Sequence, residues 1–125
     1  MTTVLIVDDD EQLLRVVARV LAQHDFESRI ATNATDALAA ARAEPPDVVL
    51  LDINLGPESG LELPRALRAS TDSLPAIVFM TGRRDVFPSI VAELGPADDW
   101  ITKPWDSAEL LARVRLATKR SAAAL

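Results

Sequence analysis

The chain has 125 residues, 49% hydrophobic and 26% charged, with 13 Lys+Arg against 19 Asp+Glu and a formal net charge of -6. That length and composition fit one globular domain and argue against disorder, since a domain this size buries roughly two-thirds of its unfolded surface. With no cysteine and one histidine, disulfide frameworks, thiolate metal sites and multi-histidine centres are excluded.

An acidic chain is a poor grip for a phosphate backbone, so direct nucleic-acid binding is not expected. No apolar run approaches the ~20 residues needed to span a bilayer. Met1-Thr2-Thr3 leads straight into the first apolar run with no basic flank or cleavage site. The reading is therefore no signal peptide and a cytoplasmic location.

Two kinds of segment alternate along the chain. Val4–Val7, Asp47–Leu51 and Ala76–Met80 are short apolar runs, suited to strands buried on both faces of a parallel sheet. Ser28–Ala31 and Asp99–Thr102 are weaker strand candidates. Leu13, Val17 and Leu21, joined by Leu14 and Val20, make one apolar helix face. Thr35–Ala43 reads as a helix stopped by Pro45-Pro46. Ser59–Ala69 reads as a third helix that Pro64 should distort. Asp85–Leu94, with Pro88 early in it, is the fourth, and Asp106-Ser107 caps a last helix through Leu116. Strand and helix alternate five times, which implies a parallel sheet with helices on both faces and right-handed crossovers.

In such a sheet, sites form at the carboxyl ends of the strands. Asp8, Asp9 and Asp10 follow the first strand, Asp52 the third, Thr81 and Gly82 the fourth, and Lys103-Pro104 the fifth. Taken singly, these have ordinary readings: an aspartate after a strand usually caps a helix, as Asp10 should, and Lys103 would be a solvated lysine. Their convergence on one sheet edge points to chemistry. Packed carboxylates repel unless a cation joins them, and oxygen-only ligands favour a hard cation, most simply Mg2+. A carboxylate there can attack an activated phosphoryl group, whose oxygens the metal, a lysine and a hydroxyl would neutralise.

These stretches resemble the receiver domain of bacterial two-component response regulators. The matching residues are Val7-Asp8-Asp9-Asp10, Leu51-Asp52-Ile53-Asn54-Leu55 with Ser59-Gly60, Met80-Thr81-Gly82, and Ala97 through Trp105. The resemblance covers essentially the whole chain. It implies a flavodoxin-like doubly wound five-stranded sheet of strand order 2-1-3-4-5, a receiver domain over 1–120, and a tail or linker start over 121–125.

It also implies that Asp52 is the phosphoacceptor, loaded by a histidine kinase or histidine phosphotransfer protein. Asp8, Asp9, Asp52 and the backbone carbonyl of Asn54 would hold Mg2+. Thr81 and Lys103 would each meet a phosphoryl oxygen, Pro104 would follow a cis peptide bond, and Trp100 would be the aromatic switch. Asn54 and Arg83 match positions that tune phosphoryl loss.

Some positions depart from the family pattern. Gly82 stands where alanine is common, Gly56 replaces the usual loop proline, and Trp100 and Trp105 replace smaller aromatics. The segment Glu109–Arg115 resembles receivers of winged-helix transcription factors, which dimerise through the fourth helix, fifth strand and fifth helix. Asp98 and Asp99 with Arg113 and Arg120 match part of that ion-pair set, while Ser89 replaces the basic partner of Glu109. A phosphorylation-dependent homodimer and an output domain or effector protein are the partners so implied.

Two other readings compete. An aspartyl phosphatase would want a second acid two residues after its nucleophile, where Asn54 stands. A receiver fold acting as a phosphorylation-independent binding module would not need the full set of Asp8, Asp9, Asp52, Thr81 and Lys103. His24 is read as a surface residue favoured by a helix end.

Overall fold

The three apolar runs become adjacent strands at the centre of a sheet. In the computed structural model, residues 1–55, 58–59, 62–70, 75–82, 88 and 98–124 are described. Strands β1 (Thr3–Val7), β3 (Val48–Asp52) and β6 (Ala76–Thr81) carry side chains that are almost all buried. They are flanked by β2 (Glu27–Ala31) and β7 (Asp99–Thr102) in a parallel sheet of order β2-β1-β3-β6-β7. Two short strands, β4 (Asn54–Leu55) and β5 (Glu58–Ser59), pair with each other and stand outside it. Counting the five sheet strands alone, the order is 2-1-3-4-5. The edge strands are the half-exposed ones, which is why their apolar signal is weaker.

The pleat sorts the core into two layers. Val4, Ile6, Val48, Leu50, Val78, Met80 and Ile101 pack against helices α1 (Glu11–Ala22) and α4 (Ser107–Ala124). Leu5, Val7, Val49, Leu51, Ile77 and Phe79 pack against α2 (Ala34–Ala43) and α3 (Leu63–Ser70). The same alternation carries Asp8, Asp52 and Lys103 toward the first side, and Thr81 and Trp100 toward the second.

Helix ends follow their capping residues. Asp10 Oδ1 accepts from the amides of Gln12 and Leu13 and starts α1. Asn33 does the same for α2 through the amide of Asp36, and Asp106 for α4 through that of Glu109. Leu14, Val17 and Leu21 form the buried stripe of α1.

The third helix corrects the sequence reading. It begins at Leu63, because Ser59 is taken by β5. Pro64 therefore lies in the first turn, where its missing N–H costs nothing, and it does not break the helix. The last helix continues past Leu116 to Ala124. Of the expected fourth helix, only Pro88 lies within the described residues, where it is helical and exposed.

Asp25 adopts φ 65 in the turn between α1 and β2. The amides of His24 and Phe26 both donate to the Leu21 carbonyl at 3.0 Å, and His24 is exposed. Aspartate tolerates this left-handed conformation and a β-branched residue does not. Asp25→Val is expected to cost about 1–2 kcal/mol in urea denaturation. Asp25→Gly should stay within about 0.5 kcal/mol of the unsubstituted chain, because relief of strain is offset by added freedom in the unfolded state.

Candidate functional site

The strand order puts β1 and β3 side by side at the point where the chain reverses its winding direction, so their carboxyl ends open one crevice. Asp8 extends β1, its amide donating to the Ala31 carbonyl at 3.1 Å. Its buried carboxylate accepts from the Asp10 amide at 2.9 Å through Oδ1 and from Lys103 Nζ at 2.9 Å through Oδ2. The triple aspartate thus divides its work: Asp8 points inward, Asp9 is exposed, and Asp10 caps α1.

Asp52 ends β3 and is buried. Its Oδ1 accepts from the Asn54 amide at 3.0 Å and its Oδ2 from Lys103 Nζ at 3.3 Å. Lys103 is held in place by its backbone, whose amide donates to the Thr81 carbonyl at 2.8 Å and lengthens the β6–β7 ladder. The Lys103–Pro104 peptide bond is cis. Thr81 is buried at the end of β6. A methyl added at Gly82 would meet Lys103 Cβ at 3.8 Å, ordinary contact, so alanine would fit there and glycine leaves the space open.

The charges do not balance. One ammonium pairs with Asp8 and Asp52, while Asp8, Asp9 and Asp52 can each offer a carboxylate oxygen within 4.8 Å of the others. Burial pushes the Asp52 carboxyl up to about 6, with the Asp8 charge adding to it and the Asn54 amide and Lys103 opposing it. Burial alone would lower the Lys103 ammonium. Its hydrogen bond to Asp8 and the charges of Asp52 and Asp8 outweigh that and hold it above its ordinary value. An oxygen-only donor set with excess negative charge fits a hard divalent cation.

Trp100 is half-buried on the α2/α3 side, against the cluster containing Leu5 and Phe79. Trp105 packs on the opposite layer, with its indole Nε1 buried and without a hydrogen-bond partner. Arg83, Ser89 and Gly56 lie outside the described residues.

The two aspartates before Trp100, grouped together in the sequence reading, are divided by the structure. Asp99 pairs with Arg113 at 2.8 Å and Arg120 at 3.8 Å within the same chain. Asp98 turns inward instead, accepting from the Ile77 amide at 2.8 Å and pairing with the Arg68 guanidinium. No local signal links residues thirty positions apart.

A five-stranded parallel sheet covered by helices on both faces, with Asp8, Asp52 and Lys103 brought together at its carboxyl edge, defines a small doubly wound α/β domain. The family description "Response regulator receiver domain" matches residues 4–115, and the chain belongs to that family.

Its relatives are regulators. It is 39% identical over 124 residues to the transcriptional regulatory protein KdpE of Mycobacterium tuberculosis, covering 99% of this chain and 54% of that protein. It is 38% identical over 118 residues to the DNA-binding response regulator MtrA of Mycobacterium leprae, covering 94% and 52%. The chain therefore spans about half the length of the curated relatives it matches.

Among solved structures, it matches the receiver domain of NtrX from Brucella abortus with TM-score 0.81 and 29% identity, over 93% of this chain and 98% of that one. A CheY-like receiver domain protein from Methanospirillum hungatei shares the fold, with TM-score 0.89, 24% identity and coverage of 100% and 99%.

Proposed function

We propose that this receiver domain accepts a phosphoryl group on Asp52 and reports it through its surface. The observation that carries the reading is the convergence of Asp8, Asp52 and Lys103 on one crevice, with Lys103 Nζ bridging the two carboxylates. The donor would be the phosphohistidine of a kinase or phosphotransfer protein. The P–N bond breaks, an Asp52 carboxylate oxygen takes phosphorus, and the departing imidazole nitrogen is left to be protonated. The product is an acyl phosphate.

Asp8, Asp9, Asp52 and the Asn54 backbone carbonyl would hold Mg2+, which when bound neutralises charge on the transferring group. Lys103 would move its ammonium from the two carboxylates to a phosphoryl oxygen. Thr81 would donate its hydroxyl to another. Its position at the end of β6, on the Trp100 side of the sheet, would let that contact reach Trp100.

No enzyme activity toward an outside substrate is assigned; the chemistry is self-phosphorylation and slow loss of the group. A histidine kinase or phosphotransfer protein upstream and an output domain or effector downstream are the proposed partners, with β7 and α4 forming part of the output face. The domain is proposed to end near residue 120, where a linker would begin. Among the described residues, no helix is long and apolar enough to cross a membrane.

Intact mass spectrometry after incubation with phosphoramidate tests the reading. The unsubstituted chain should gain about 80 Da with Mg2+ and nothing with a chelator. Asp52→Asn should gain nothing in either condition. An adduct that survives Asp52→Asn would place the chemistry on another residue.

A further inference from the structure

Lys103 follows β7, yet its ammonium pairs with Asp52 at the end of β3 and with Asp8 beyond β1. Strand β6 lies between β7 and β3, so the lysine stem crosses the carboxyl end of β6. The residue at that crossing is Gly82. The Lys103 amide donates to the Thr81 carbonyl and carries the β6–β7 pairing one step past Thr81 and Thr102. Gly82 and Lys103 therefore stand side by side, on the parity of the strands that holds Asp52. A methyl at Gly82 would lie 3.8 Å from Lys103 Cβ and 4.0 Å from the Lys103 carbonyl oxygen.

Neither usual reason for a glycine applies there. Its φ lies outside the left-handed region, and a methyl would make only ordinary contact with the described residues. Alanine would hold the same backbone and lose less freedom on folding. What glycine leaves is open space. The residue is exposed, next along the chain to Thr81 and next across the sheet to Lys103. Those two are the donors proposed for a phosphoryl group on Asp52, so the gap flanks the place where that group would sit.

We propose that Gly82 sets the lifetime of the acyl phosphate by leaving that flank open to water. The inference rests on Asp52 as phosphoacceptor. In the loss step a water oxygen bonds to phosphorus and the bond from phosphorus to the Asp52 oxygen breaks. Asp52 recovers its carboxylate, one water proton passes to solvent, and inorganic phosphate departs. A methyl at this position takes the room of that water while Lys103 and the acids keep their places.

The test uses the full chain, loaded with phosphoramidate and Mg2+ and then freed of donor by gel filtration. Intact mass follows the loss of the added group of about 80 Da. Gly82→Ala should lengthen the half-life of the adduct roughly 3–10-fold. Its affinities for Mg2+ and for beryllofluoride, a phosphoryl mimic, should stay within about twofold of the unsubstituted chain. Its urea midpoint should be equal or higher. Gly82→Ser has similar bulk but a hydroxyl that can hold water beside the group, so its half-life should fall between the other two.

An unchanged half-life in Gly82→Ala would overturn the proposal. So would a longer half-life with weakened beryllofluoride binding, because the methyl would then have displaced Lys103. Equal lengthening in Gly82→Ser and Gly82→Ala would assign the effect to a stiffer backbone and remove the water route. Loss of loading in Gly82→Ala alone would mean that the methyl closes the site to the donor, and that too counts against it. If the unsubstituted chain takes no phosphoryl group, the phosphoacceptor reading falls, and this inference with it.

Discussion

Lys103→Ala is expected to slow phosphorylation of the chain by phosphoramidate about 10²–10³-fold, the usual cost of removing one fixed donor aimed at developing charge. The geometry gives the reason. Lys103 Nζ lies 2.9 Å from Asp8 and 3.3 Å from Asp52, so it stands where a phosphoryl oxygen on Asp52 would arrive. It is also preorganised, because its amide is fixed to the Thr81 carbonyl. Mg2+ affinity should move the other way or not at all, since the variant removes a positive charge from a site for a cation. Lys103→Arg should rescue only part of the rate, because a planar fork does not replace a compact ammonium. Time courses of intact mass and a Mg2+ titration of tryptophan fluorescence measure the two effects. A rate within tenfold of the unsubstituted chain would remove Lys103 from the transfer step.

The second large effect is on stability. Asp52 has a carboxyl pushed up from 3.8 to about 6 by burial. Between those values the folded chain keeps a proton that the unfolded chain has lost. Stability therefore falls as pH rises from about 4 to about 6, and the cost is complete above that. Two pKa units correspond to on the order of 3 kcal/mol. In metal-free buffer at pH 7.5, Asp52→Asn should be the more stable protein by on the order of 2–3 kcal/mol. The neutral amide can still accept from the Asn54 N–H, and Lys103 keeps Asp8. The advantage should shrink to little below pH 4. Added Mg2+ should narrow it from the other side by stabilising the unsubstituted chain through mass action. Urea denaturation with a chelator at the two pH values would show it. An Asp52→Asn variant less stable at pH 7.5 would mean that Lys103 outweighs burial.

Much of this was legible in the residues. The runs at Val4, Val48 and Ala76 read as buried strands because both their faces are covered, and continuous apolarity is the signature of that burial. Asp10 and Asp106 read as caps because a cap is a local device. The crevice followed from what stands at successive strand ends. What could not be read is long-range or very short. The β4–β5 pair has two residues per strand, too few for any period, and it displaced the start of α3 so that Pro64 became harmless. The inward turn of Asp98 depends on Arg68 thirty residues earlier. In the sequence, Asp98 and Asp99 both looked like partners for the last helix, and among the described pairs the structure gives that place to Asp99.

The sorting of residues by the pleat sets the kind of change this domain can absorb. Asp8, Asp52 and Lys103 occupy one parity of the strands, and Thr81 and Trp100 the other. A single residue inserted between Asp99 and Trp100 would move both Trp100 and Lys103 to the opposite sides of the sheet, so neither would meet its neighbours. Two residues would preserve the sides. Lineages of this chain should therefore show lengths that drift freely in loops and helix ends but change by even steps inside the strands, the site acting as a parity check on the sequence.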